Sequence, residues 1–144
     1  MILLHKLFEF GLTMSEMINI YILYIRSILE SSAVVWHSSI TKEEIREIER
    51  VQKVALRVIL DEEYEDYFSA LKTTGLPTLN QRRELLCKKF ATNCTKNPKM
   101  AHMFPLNESN VYTRNLEKYY VQPASTGRLK KSAIPYMQRL LNAK

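Results

Sequence analysis

Hydrophobic positions are densest between Ser15 and Trp36, SEMINIYILYIRSILESSAVVW, and their order predicts a helix. At 100° per residue, Met17, Tyr21, Tyr24, Ile28 and Val35 fall on one side and Ile18, Ile25, Leu29 and Trp36 on the next. Asn19, Arg26 and Glu30 share one narrow polar strip. A helix apolar over most of its circumference is normally central, so this one is expected to be the element around which the chain packs. Thr13-Met14-Ser15-Glu16 has capping-box spacing at its start. It follows Gly11, which suits the end of a preceding helix over Met1 to Phe10 with Ile2, Leu3, Leu7 and Phe10 inward.

The same reading carries on downstream. Thr41-x-x-Glu44 is a second capping box, opening a helix to about Leu60. Ile45, Ile48, Gln52, Ala55 and Ile59 form its seam, and its charges run from acidic Glu43, Glu44, Glu47 and Glu49 to basic Lys53 and Arg57, the order a helix dipole favours. Tyr64 to Thr74 predicts a short amphipathic helix with Tyr64, Tyr67, Phe68 and Leu71 as its apolar side, stopped by Gly75. Thr78-x-x-Gln81 caps a helix to about Thr95, on which Leu79, Leu86, Cys87, Phe90 and Cys94 share a face. Arg82, Lys89 and Lys96 stripe one flank of that helix, whereas Arg83 projects from the apolar side. A buried Arg83 needs a carboxylate partner, for which Glu30 is a candidate. Pro98 to Phe104 suits a brief helix, Pro105 to Lys131 shows no sustained period, and Ser132 to Asn142 can form a short helix through Ile134, Met137, Leu140 and Leu141. The expectation is an all-α fold. A small helical bundle covers residues 1–104, and an extended, partly irregular basic C-terminal tail with a short terminal helix covers 105–144.

Charge sharpens this picture. Of the net charge of +6, the segment from Glu108 to Lys144 holds +5, with seven Lys or Arg against two Glu. Arg82 to Lys99 is basic as well, while Asp61, Glu62, Glu63, Glu65 and Asp66 form an acidic run that suits a solvated turn and helix start. Such asymmetry fits a nucleic-acid partner. Only two cysteines, Cys87 and Cys94, are present, which is too few for a disulfide framework and favours a reducing, intracellular setting, cytoplasmic or nuclear. No small-residue cleavage site follows the apolar N-terminus. The longest uncharged run in the apolar helix, Met17 to Ile25, is nine residues, against the roughly 20 of a transmembrane span. Neither a signal peptide nor a membrane partner is therefore expected.

Catalytic chemistry finds little foothold. Two-metal phosphoryl transfer needs clustered carboxylates, usually Asp, and the chain has only Asp61 and Asp66. Cys87, Cys94 and His102 match no compact zinc spacing, and the thiols fall on an apolar face. His5, His37 and His102 show no orienting partner for a Cys nucleophile, and there is no glycine-rich phosphate loop. No catalytic, metal or cofactor residue is assigned. Tyr112, Tyr119 and Tyr120, beside Arg114 and Lys118, read either as stacking platforms for unpaired bases or as side chains packed back on the domain.

Four strings in order resemble a known family. Tyr21-x-x-Tyr-Ile-Arg-Ser-Ile-Leu-Glu30, with Val-Val-Trp36-His, is similar to the segment that follows the polymerase core in reverse transcriptases of non-LTR (LINE-type, jockey-like) retrotransposons. Ile48-Glu-Arg-Val-Gln-Lys-Val-Ala-Leu-Arg57 resembles the next helix of that family, Thr78-Leu-Asn-Gln-Arg82-Arg83 its following signature, and Arg128 to Asn142 its extreme C-terminal end. Ser31 departs from the aromatic residue often found there.

The resemblance implies a helical thumb, or the connection after it, gripping an RNA template and growing DNA. The fingers and palm, with their paired Asp and Mg²⁺, are absent from the chain, so the missing part would lie upstream and the isolated chain is expected to polymerise nothing. Backbone contacts are expected from Arg82, Lys88, Lys89, Lys96, Lys130 and Lys131, giving weak, non-specific binding of an RNA/DNA hybrid or a single strand, while Arg26, Glu30, Trp36 and Arg83 are expected to be structural. The alternative from another class is a helical protein-interaction adaptor with no nucleic-acid role.

Overall fold

In the computed structural model, which describes residues 2–108 and 118–143, the chain is all-α: no strand occurs among the described residues, and the one antiparallel bridge joins Leu106 to Tyr119. The helices are α1 (Ile2–Glu9), α2 (Met14–Ile20), α3 (Ser27–Glu30), α4 (Ala33–Trp36), α5 (Lys42–Leu60), α6 (Tyr67–Thr74), α7 (Leu79–Lys96), α8 (Gly127–Lys130) and α9 (Ala133–Asn142), with Tyr21–Arg26 wound as a π-helix between α2 and α3. The chain forms two compact units, residues 1–31 with 41–82 and residues 32–40 with 83–144, a division that does not fall at residue 104.

The first unit is built on α5. Thr41 and Glu44 close the capping box at its start, with the Thr41 backbone N–H donating to Glu44 Oε2 at 2.7 Å. Its inward side carries Gln52, Ala55, Leu56, Val58, Ile59 and Leu60, all buried, and α1, α2 and α6 pack on it. Leu4, Met17, Tyr21, Ala70, Leu71 and Leu76 complete this core. Gln52 is fully enclosed and donates through Nε2 to the Pro77 carbonyl at 3.0 Å, tethering the loop ahead of α7. Gly75 ends α6 at φ +66°, a conformation that costs a residue with a Cβ about 1–2 kcal/mol.

The expected inward faces of two helices are corrected. On α1 the buried residue is Leu4, and Ile2, Leu3 and Phe10 are exposed, so the helix is turned toward the Leu4 and Leu7 side. On α6 Phe68 is likewise exposed.

The Ser15-to-Trp36 segment is neither continuous nor central. It breaks at Ser31–Ser32, where Ser32 sits at φ +53°, and only Met17, Tyr21 and Ala33 along it are buried. Leu23, Tyr24, Ile28 and Val35 are exposed, Ile28 at 73%. The cause is the π-helix: with more residues per turn than an α-helix, it takes up one extra residue. The inward line that passes through Met17 and Tyr21 then continues through Ile25 and Leu29, which are half-buried, instead of Tyr24 and Ile28. By length and composition alone Met14–Trp36 is long and apolar enough to cross a membrane, a test that a core helix of a soluble protein and a signal sequence pass equally. In this structure one side of its first part packs against α1 and α5.

The second unit has its own core: Cys87, Ala91 and Cys94 of α7, Phe104, and Met137 of α9, with Val34, Met100, Tyr136, Leu140 and Leu141 around them. The terminal helix of the expected tail is therefore half of a core. Side-chain amides tie it down: Asn142 accepts from the Tyr119 N–H at 2.9 Å and donates to the Tyr119 carbonyl at 2.8 Å.

Candidate nucleic-acid interface

The α7 helix carries most of the expected contact residues, and its start is fixed from two directions. Thr78 and Gln81 form a capping box, the Gln81 N–H donating to Thr78 Oγ1 at 3.2 Å and the Thr78 N–H to Gln81 Oε1 at 3.3 Å. From α5, Glu49 accepts from the Leu79 N–H at 3.1 Å and the Asn80 N–H at 3.3 Å, and also from the Tyr67 hydroxyl. A carboxylate at a helix N-terminus satisfies orphan donors and meets the positive end of the dipole. Burial and the bond to Glu49 together push the Tyr67 hydroxyl well above the usual tyrosine range.

In the first unit, Arg26, Glu30 and Arg82 come together. Glu30 Oε1 lies 3.3 Å from Arg26 Nε and 3.1 Å from Arg82 Nε, with Arg82 about one-third exposed. The π-helix explains how two residues of an expected outer polar strip meet a third here, because it turns Arg26 and Glu30 toward the half-buried side. Glu30, the candidate partner for Arg83, thus serves Arg82, and a phosphate approaching Arg82 has a carboxylate to displace.

In the second unit, Arg83 is fully buried, as expected for a structural residue. Its Nε donates to His37 Nδ1 at 3.4 Å and its guanidinium faces the Trp36 ring at 5.6 Å from the centroid, a cation–π separation. Burial first, then the neighbouring Arg83 charge, holds the His37 imidazole below the usual histidine range. Cys87 and Cys94 are buried, and burial pushes the Cys87 thiol up to about 11, which removes it as a nucleophile near neutral pH.

Lys88, Lys89 and Lys96 on α7, and Lys130 and Lys131 at the end of α8, are all exposed, and among the described residues none of the five makes an ion pair. Thr126 caps α8 by accepting from the Leu129 N–H at 3.2 Å, and the Lys130 carbonyl accepts from Arg139 of α9, so the turn carrying Lys130 and Lys131 is anchored on α9. The same unit holds an open cavity of about 640 Å³, lined among others by His102, Tyr120, Gln122, Pro123, Ile134 and Gln138. Sequence reading reached Tyr119 and Tyr120 through their basic neighbours, but nothing local signalled that His102 and Ile134 share a cavity with Tyr120. Tyr112 and Arg114 lie outside the described residues. Among the described residues no cluster of His, Cys, Asp and Glu suited to a metal ion occurs.

No protein-family model matches the chain, and no curated protein and no solved structure is significantly similar to it.

Proposed function

We propose that this chain is a non-catalytic nucleic-acid-binding module, the C-terminal, thumb- or connection-like part of a non-LTR retrotransposon reverse transcriptase, working inside the cell. It grips the sugar-phosphate backbone of an RNA/DNA template-primer, with the upstream palm and fingers as its partner and as the home of Mg²⁺ and the chemistry. The observation that carries this reading is the set of exposed lysines of the second unit, Lys88, Lys89, Lys96, Lys130 and Lys131, none of which makes an ion pair among the described residues. Free cations on anchored elements release condensed counterions when they meet a phosphate chain, and they read no bases. Arg82 contributes less, because Glu30 holds it.

The test is a titration of the purified chain against a labelled RNA/DNA hybrid at about 50 and 200 mM salt. A dissociation constant of order 10⁻⁴ to 10⁻⁶ M near physiological salt, weakening steeply between the two conditions, is expected. Primer extension on an RNA template with Mg²⁺ is expected to give no product. A second reading, a helical protein-interaction adaptor, is favoured by the exposed apolar line of Leu23, Tyr24 and Ile28. Under that reading hybrid binding is absent at low salt, and partner capture is indifferent to salt.

A further inference from the structure

We propose that the cavity of the second unit is a pocket for one unpaired nucleobase, so that the module prefers a single strand, or the overhang of a primed template, to a fully paired hybrid. The inference rests on the nucleic-acid reading above and adds a base-binding site to a surface that otherwise sees only phosphates.

The cavity, at about 640 Å³, lies within the range of roughly 300–1,000 Å³ typical of small-molecule clefts. Its walls are held in place. Gln138, itself buried, donates through Nε2 to the Met103 carbonyl at 2.9 Å and accepts at Oε1 from the Gln122 N–H at 3.1 Å, so one side chain braces two walls. A second brace is the short pairing in which the Tyr120 N–H donates to the Pro105 carbonyl at 2.9 Å and the Asn107 N–H to the Lys118 carbonyl at 3.0 Å.

The lining decides the ligand. Among the described residues it contains no acidic side chain, which suits a polyanion, and no lysine or arginine, which argues that the phosphate stays outside and a neutral group enters. Tyr120 lines the cavity yet is 45% exposed, and His102 is exposed too, so aromatic faces are open to stacking. The Gln122 side chain offers both a donor and an acceptor, a pairing that any base edge can use without strong preference. Lys118, two residues before Tyr120, and the lysines of the same unit are exposed for the flanking phosphates.

The decisive experiment compares a dye-labelled oligodeoxythymidylate with a strand of equal length and charge made of abasic residues, by fluorescence anisotropy at about 50 mM salt. The base-bearing strand should bind about tenfold more tightly, and Tyr120→Ala should erase about five- to tenfold of that advantage without changing abasic binding. Tyr120→Trp should retain it, because stacking needs the ring and not the hydroxyl. A thermal melt of each variant reports folding, and a ring this exposed is not a core element. Equal affinity for the two strands overturns the pocket, as does a silent Tyr120→Ala in a chain where Lys130→Gln and Lys131→Gln still weaken both strands. If neither strand binds, the backbone reading fails, and the pocket with it.

Discussion

Arg83 Nε donates to His37 Nδ1 across 3.4 Å, a bond that exists only while that imidazole nitrogen carries no proton. The neighbouring charge and the burial of both groups favour the neutral ring, and His37 titrates below its usual range. In the unfolded chain the same residue protonates near the ordinary 6.5. The unfolded state therefore binds more protons as pH falls below that point, and stability contributed by neutral His37 is complete above it and lost below it. Thermal melts between about pH 7.5 and 5.5 should show a falling melting temperature, with a slope of at most about 1.4 kcal/mol per pH unit from this group, and His37→Gln should flatten it. An unchanged slope in the variant would assign the effect elsewhere.

Glu49 ties three elements of the first unit, and its loss should be felt well beyond α5. Glu49→Ala removes the acceptor of the Leu79 and Asn80 N–H groups and of the Tyr67 hydroxyl, and is expected to cost about 2–3 kcal/mol. Denaturant unfolding measures it. A cost under about 0.5 kcal/mol, the level of an ordinary surface change, contradicts the bracing role.

Tyr21 is fully buried, and its hydroxyl finds no hydrogen-bond partner among the described residues. Tyr21→Phe should therefore hold or raise stability, by up to about 1 kcal/mol, since a desolvated and unsatisfied group is removed while the ring stays. A loss of 1 kcal/mol or more in urea unfolding would show that the hydroxyl has a partner.

The terminal helix is predicted to be essential to the folding of the second unit. Met137 is 4% exposed and packs with Cys87, Ala91, Cys94 and Phe104. In the full chain both thiols should resist a thiol-specific chromogenic reagent, and truncation after Lys131 should render both reactive. Continued protection in the truncated chain would place α9 outside the core.

What was legible in the sequence is what is local. The boxes at Thr13, Thr41 and Thr78 and the glycines at 11 and 75 all act within a few residues, and each sits where the spacing placed it. The burial of Arg83 was legible too, from its place among apolar neighbours on one helix. Faces were not fully legible where the helix departs from 3.6 residues per turn: a single α period put Tyr24 and Ile28 in line with Met17 and Tyr21 and set Ile25 and Leu29 on the neighbouring side. On α1, a helix of eight residues rich in apolar positions on several sides, periodicity alone cannot choose between Leu4 and Ile2. The cavity in the second unit was equally hidden: His102, Tyr120 and Ile134 meet because Gln138 of α9 holds both the Met103 carbonyl and the Gln122 N–H and because Tyr120 pairs with Pro105, relations between segments far apart in the chain.

The π-wound turn also fixes how this helix tolerates a change in length. Because Tyr21–Arg26 already accommodates one surplus residue, a deletion there can be absorbed by rewinding to α geometry, and Met17, Tyr21, Ile25 and Leu29 stay in line. Removing the exposed Leu23 is the least disruptive choice, whereas the same loss inside α5 swings everything beyond it through about 100° and takes Leu56 and Ile59 out of the core. Two helices of the first unit thus answer a one-codon deletion in opposite ways.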